Sequence, residues 1–262
     1  MKNITIITAL FALFVIGCGG SDSSASGAGS NNGGGGTGVG GSMARFTISG
    51  DFLYTVNKRA LQAFDISQPA APIIYERAFD VPFDVETLYA YKERLYIGSE
   101  SGVSVYSKPD ENTDLVRIGQ LGHIRSKDPV VIQDDIAYVT LRSSNGRGAN
   151  ELQILDVKDP TPKLIKTQRK YLVSPGGLGI DGNILFICDG KEGLKLFDVN
   201  HTKSVQNNES NVTLTFNRAS SIPTINCYDL IPHQNLLIVS NGEDVRQFDY
   251  SHLPMVEHND SR

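Results

Sequence analysis

Between residues 46 and 250 one short pattern recurs five times: an apolar stretch, a polar turn, and a second stretch that usually closes on Asp. The copies pair Phe52–Val56 with Leu61–Asp65, Arg94–Gly98 with Val103–Ser107, and Ile136–Thr140 with Leu152–Asp156. Ile184–Cys188 with Leu194–Asp198 and Leu236–Ser240 with Val245–Asp249 complete the set. The closing positions 65, 107, 156, 198 and 249 keep the units in step along the chain. Within a unit, apolar and polar residues alternate, as in Leu194 and Leu196 around Lys195. That period of two is the mark of a β-strand.

Each pair is preceded by another strand-like stretch, at 46–49, 85–90, 130–133, 177–180 and 228–231. A fourth follows most pairs, at 73–77, 115–119, 163–167 and 212–216. Four strands in about 45 residues is the size of a propeller blade. No apolar period of 3.6 runs for helical length, so the sequence predicts an all-β propeller of five blades. The last blade is the weak one, because Pro254 removes a backbone donor from the only segment left for its fourth strand. The closing Asp has a structural role in this scheme. In Asp65-Ile-Ser-Gln-Pro69 and Asp156-Val-Lys-Asp-Pro160 its carboxylate can accept backbone N–H groups and start a turn, with Pro ending the ladder.

The units at 182–199 (GNILFICDGKEGLKLFDV) and 134–162 resemble LVIVD repeats, which occur in bacterial surface and secreted β-propellers. The likeness spans most of residues 46–250. It departs from the pattern in the second unit, which ends in Tyr106-Ser107, and in the fifth, which lacks a clear fourth strand. The resemblance implies an envelope propeller and implies no common reaction, since a shared fold does not carry a function with it.

The N-terminus predicts how such a domain is held. Lys2 supplies a positive charge, and Ile4–Ile16 is an apolar run of thirteen residues. That length suits a signal peptide and falls short of the roughly 20 residues of a membrane-spanning helix. The run ends in Val15-Ile16-Gly17-Cys18, which resembles the bacterial lipobox. The resemblance implies cleavage after residue 17 and fatty acylation of the Cys18 thiol, palmitate-type chains included; an uncleaved anchor with an incidental Cys is the alternative. Gly19, rather than Asp, follows the cysteine, so an outer-membrane lipoprotein is expected if the host is Gram-negative. Residues 19–42 are Gly or Ser at 17 of 24 positions. Such a stretch buries too little apolar surface to offset its ordering entropy and is expected to act as a flexible tether, reaching roughly 25–30 Å. The expected organisation is thus signal peptide 1–17, lipidated Cys18 and linker 18–42, and propeller 43–262.

Charge narrows the partners. The propeller carries a net −5 with no basic stripe, which argues against nucleic acid and against electrostatic docking on anionic lipid. The chain has no Trp, so it lacks the tryptophan signatures of quinoprotein propellers and the aromatic Asp-box of sialidases. Gly177-Leu-Gly-Ile-Asp-Gly182 matches a dinucleotide fingerprint, but it runs into a strand rather than opening a helix. Glycines crowded at an inner strand, followed by a tight turn, explain it better. The five histidines and the cysteines have no metal-ligand spacing, so no metal or cofactor is expected. Asp189-Gly-Lys-Glu-Gly193 and Asn241-Gly-Glu-Asp244 read as polar hairpin turns, since neither has the ordered oxygen series of a calcium loop.

Three function classes remain: a tethered binding or scaffolding module for an envelope protein or glycan, an enzyme of hydrolase or lyase type at the channel mouth, or a structural element of surface assembly. Any ligand is expected on the face where innermost strands begin and second strands end. Candidate residues there are His123, Arg125, Lys127, Asp128, Arg142, Arg147 and Asp189. The insert 141–151 is the longest hairpin loop of the repeat, and long loops often carry function. Once Cys18 is lipidated, Cys188 and Cys227 remain, at strand ends on one face of adjacent predicted blades. They either pair as a disulfide or pack as two buried thiols. A monomeric domain is expected.

Overall fold

The computed structural model describes residues 42–57, 60–78, 81–82, 85–109, 114–122, 129–143, 149–203 and 210–258. Five antiparallel four-stranded sheets form a five-bladed propeller, and the described residues contain no helix. Blade one is β1 (Phe46–Ser49), β2 (Phe52–Val56), β3 (Leu61–Asp65) and β4 (Ile73–Ala78). Blade two is β5 (Val85–Tyr91), β6 (Arg94–Ser99), β7 (Gly102–Ser107) and β8 (Arg117–Gly122). Blade three is β9 (Val130–Gln133), β10 (Ile136–Leu141), β11 (Glu151–Asp156) and β12 (Lys163–Gln168). Blade four is β13 (Leu178–Asp181), β14 (Ile184–Cys188), β15 (Leu194–Lys203) and β16 (Ser210–Phe216). Blade five is β17 (Asp229–His233), β18 (Leu236–Ser240), β19 (Val245–Asp249) and β20 (Val256–Glu257).

Each blade is sandwiched between neighbours, which is why its central strands are apolar on both faces. The aromatic at the middle of the second strand points to the following blade: Tyr54, Tyr96, Tyr138 and Phe186 are all buried. The residue just before the closing Asp (Ser107 in blade two) of the third strand points to the preceding one: Tyr106, Leu155, Phe197 and Phe248. Four apolar clusters result, joining blade one to two, two to three, three to four and four to five. Burying one such aromatic removes 150–250 Å² from water, so these seams dominate the stability of the ring.

The closing aspartates act as the sequence predicts. Asp65, Asp156 and Asp249 accept the backbone N–H of Ser67, Lys158 and Ser251 at 2.8, 3.0 and 2.7 Å. In blade two the same place is held by Ser107, whose hydroxyl donates to the Asp114 carbonyl and accepts from Val116 N. That turn delays the fourth strand to Arg117, two residues later than its apolar pattern predicts, and Leu115 is buried beneath it. In blade four, β15 runs five residues past Asp198, paired throughout with β16. The fourth strand of blade five exists but is only two residues long.

One seam differs from the others. Innermost strands pack side by side from β1 through β5, β9 and β13 to β17. Between β17 and β1 no comparable packing occurs, and among the described residues no apolar cluster joins blade five to blade one.

Candidate binding face

The upper face, where the innermost strands begin, is closed at its centre by the chain itself. Ser42 is 2% exposed. Its hydroxyl donates to Asp229 Oδ1 at 3.0 Å and accepts from Leu178 N at 2.7 Å. Its carbonyl accepts the Thr87 hydroxyl of blade two. Met43 N reaches Asp229 Oδ2 at 3.4 Å, and the Ala44 carbonyl accepts Leu88 N at 2.8 Å. One short segment thereby touches blades two, four and five before it becomes the first strand of blade one.

The glycines of the 177–182 run make room for this junction. A Cβ on Gly177 would overlap the Asp229 carboxylate, and one on Gly179 would lie 2.7 Å from Leu230 Cδ1. Gly182 takes φ +54° in the turn that follows. The run is a crowded inner strand and a hairpin, with no helix for a phosphate to sit on. Burial holds the Asp229 carboxyl above its ordinary value, against the opposing hydrogen bonds from Leu230, Ser42 and Met43.

Of the residues expected to form a binding face, His123, Arg125, Lys127, Asp128 and Arg147 lie outside the described residues, as does Cys18. Asp189 is described and is fully buried. Its carboxylate accepts Val173 N at 3.0 Å and Ser174 N at 2.6 Å, with Lys195 Nζ 3.9 Å away. Desolvation pushes its pKa up despite those bonds. Asp189 therefore holds the 173–174 loop over the hairpin tip instead of facing solvent. Beside it the structure joins Cys188 and Cys227 in a disulfide, with Cα atoms 4.8 Å apart, and Cys227 N donates to the Gly190 carbonyl at 3.0 Å.

Arg142 is placed differently. It is half-buried at the end of β10, with Nη1 3.8 Å from where a Cβ on Gly176 would stand. No hydrogen bond or ion pair to its guanidinium occurs among the described residues. Gly176 is also flanked by the carbonyl of Tyr228, whose side chain is 48% exposed, and Val173 nearby is 56% exposed. Arg142 and Asp189 thus meet the same segment, Asp189 at residues 173–174 and Arg142 at Gly176. The loop that Arg142 opens is pinned where Ser143 N donates to Asn150 Oδ1 at 2.8 Å. At its far end the nearly buried Glu151 pairs with Arg169 at 2.7 Å.

The lower face holds a feature that strand periodicity did not reveal. A cavity of about 290 Å³ lies between blades two and three, lined by Tyr91, Lys92, Glu93, Arg94, Asp135 and Lys158 among others. Arg94 Nη1 donates to the carbonyls of Val157 and Lys158, both at 2.9 Å, and Lys92 pairs with Asp135. Much of its charge is already spent on joining the blades. The acidic turn Asp134-Asp135, set against Lys92 on the neighbouring hairpin, was the sequence signal for it.

Five four-stranded sheets with this repeat define a repeat β-propeller, and comparisons with known proteins agree. A family model described as LVIVD repeat matches residues 40–79, the region of blade one. No curated protein matches the sequence. Among solved structures, a computationally designed protein, Ika8, is similar over 81% of this chain and 60% of its own, with TM-score 0.57 and 12% identity. The chain therefore spans about three-fifths of that protein's length, and the likeness is one of fold. A chain from an S. cerevisiae assembly, a Dbp5 variant bound to Nup159, a Gle1 variant, IP6 and ADP, aligns over 78% of this chain and 59% of its own. Its TM-score is 0.44 and its identity 13%.

Proposed function

We propose that the protein is a lipid-anchored binding or scaffolding module of the bacterial envelope, which takes an anionic group of an envelope glycan or protein at the rim of its upper face. The observation that carries the ligand reading is Arg142: a half-buried guanidinium with no partner among the described residues, at the Gly176 segment of the rim. A planar cation of this kind suits bidentate contact with a carboxylate. The channel centre on that face is filled by Ser42, so the ligand sits off the axis, at the Gly176 segment that enters blade four. Anchorage rests on Cys18 and the apolar run before it.

Two measurements test the two halves separately. Mass spectrometry of the mature N-terminus is expected to show an acylated Cys18, with Cys18→Ser moving the protein out of the membrane fraction. Retention of the Cys18→Ser protein in membranes rules the anchor out. For the ligand, envelope extracts are passed over the native protein, Arg142→Ala, and a deletion of residues 143–149. A specific partner lost with Arg142→Ala supports the rim site. Equal recovery on all three removes it, and loss only with Lys92→Ala moves the site to the lower cavity.

A further inference from the structure

The hairpin of blade four that outgrows the repeat carries on its outer face a pattern that strand formation does not explain. In β15, Asp198, Asn200 and Thr202 alternate with Val199 and His201; in β16, Asn211, Thr213 and Thr215 alternate with Val212 and Leu214. Val199 and Val212 belong to the apolar cluster between blades three and four, and Leu214 packs against it. His201 Nε2 meets the Tyr138 hydroxyl of blade three at 3.0 Å. The alternate residues, Asp198, Asn200, Thr202, Asn211, Thr213 and Thr215, are all exposed. Register makes them one patch, with Asn200 opposite Thr213 and Thr202 opposite Asn211.

Asparagine is disfavoured in strands, where its short amide competes for the backbone. Elsewhere it is used for turns: Asn57, Asn150, Asn217 and Asn241 each accept a backbone N–H on Oδ1. The Asn200 and Asn211 carboxamides make no hydrogen bond among the described residues. Each instead opens an Asn-x-Thr triplet, Asn200-His-Thr202 and Asn211-Val-Thr213, which is the acceptor pattern of N-glycosylation. An acidic residue stands two places before each: Asp198, and Glu209, which lies outside the described residues. The same spacing of acid, amide and hydroxyl recurs at Glu257-His-Asn259-Asp-Ser261, where residues 259–261 are also outside them. In an extended segment, side chains two apart share a face, so an enzyme gripping it as a strand reads all three groups together. Asp198 is available for this because β15 continues past it. Unlike the closing aspartates of blades one, three and five, it accepts no backbone N–H among the described residues, only Asn217 Nδ2 at 3.3 Å.

We propose that Asn200 and Asn211 are acceptors of N-linked glycan. The proposal rests on the export half of the reading above and on neither its rim site nor its ligand. In the transfer, Asn Nδ2 attacks the anomeric carbon of an oligosaccharide carried on a polyprenyl diphosphate. The new C–N bond replaces the C–O bond to the diphosphate. The polyprenyl diphosphate leaves with that electron pair, and the amide gives up one proton to a base of the host's transferase. Added to the exported chain before the hairpin zips, the sugars meet no steric barrier. The folded blade then displays both on the face turned away from the core. There they shield β16, an outermost strand whose free edge is otherwise open to pairing with another sheet.

Mass spectrometry of the full chain purified from its own host reads the modification directly. Peptides containing Asn200 and Asn211 are expected to carry an oligosaccharide mass on the asparagine. Thr202→Ala should abolish it at Asn200 and leave Asn211 modified, whereas Thr202→Ser should retain it. Asp198→Asn should lower occupancy at Asn200 alone. Each variant changes an exposed side chain, and unchanged circular dichroism checks that the propeller still forms. Bare asparagines in the native chain overturn the proposal, and this result needs no variant to fold. If Cys18 on the same molecules is acylated, the anchor reading survives that result; if the N-terminus is unprocessed, both fall. Glycan on Asn259 alone, or persisting on Asn200 of the Thr202→Ala protein, also overturns the assignment.

Discussion

Asp189 stands at a hairpin tip whose neighbours, Gly190, Lys191, Glu192 and Gly193, all read as solvent-facing turn. Its burial comes from the 173–174 loop, whose two N–H groups need an acceptor that water cannot reach. Asp189→Ala strands both donors and Lys195, so a loss of roughly 2–4 kcal/mol in urea unfolding is expected. A loss below about 0.5 kcal/mol would mean the loop finds other acceptors. Acid titration adds a second expectation. Burial raises both Asp189 and Asp229 above 3.8, so the folded protein binds more protons than the unfolded chain between that value and their folded ones. Their contribution to stability accordingly falls as pH rises through that window and is level above it. Asp65 and Asp249 run the other way: hydrogen bonds from Ser67 and Ser251 lower them, and that stability is lost as pH falls through their folded values. The Asp229→Asn protein keeps an acceptor for Ser42 without the buried charge. Its stability relative to the native chain is expected to rise between pH 4 and neutrality; a difference independent of pH would show that Asp229 does not titrate as its burial implies.

At the level of strands, the blades were legible because each is a local object: alternation, a turn residue and a closing Asp lie within 45 residues. β8 was misplaced because Ser107 substitutes for Asp and makes a wider turn, a difference that apolar pattern does not register. Pro254 pointed to a weak last blade and an imperfectly sealed ring; how blades five and one meet was not legible because burial there depends on ring closure, although Gln247 and Ser240 are polar where other blades are apolar. Arg142 was singled out for its loop, and the structure adds its lack of a described partner; the lower cavity needs two blades side by side and has no signature within one. The Cys188–Cys227 link ties the end of β14 to the start of β17, closing a separation of 39 residues. By chain-entropy reasoning such a crosslink stabilises by about 3–4 kcal/mol. Reduction is therefore expected to lower the unfolding midpoint, and Cys188→Ser with Cys227→Ser to lower it equally without reductant. Two free thiols per unreduced, unfolded chain of the Cys18→Ser protein would show that the pair is not bonded.

For the molecule as a whole, four seams have apolar cores and the fifth has a clasp. Ser42 and Met43 bind Asp229 from the chain that opens blade one, and Ser42 also binds blades two and four. These bonds are buried, so each is stronger than it would be in water; removing the Ser42 hydroxyl leaves Leu178 N without its acceptor and Asp229 with one donor fewer, Leu230 and Met43 remaining. Ser42→Ala adds no bulk to this buried site and loses both hydroxyl bonds. A cost of about 1–3 kcal/mol follows from the stranded Leu178 N and the lost bond to Asp229. Its distribution matters more than its size. Blades two, three and four are held together by apolar clusters whose packing does not depend on the Ser42 hydroxyl, so most of their amides should keep their protection. Among the described residues no apolar cluster joins blades one and five to substitute for the clasp. Hydrogen exchange is therefore expected to accelerate in Phe46–Ser49 and Asp229–His233 well before β9 or β10 responds, as local opening of the least stable unit predicts. Uniform acceleration across all five blades would mean that the ring opens as one cooperative body and that the seam is not its weak point. No acceleration at all would mean that the clasp is dispensable.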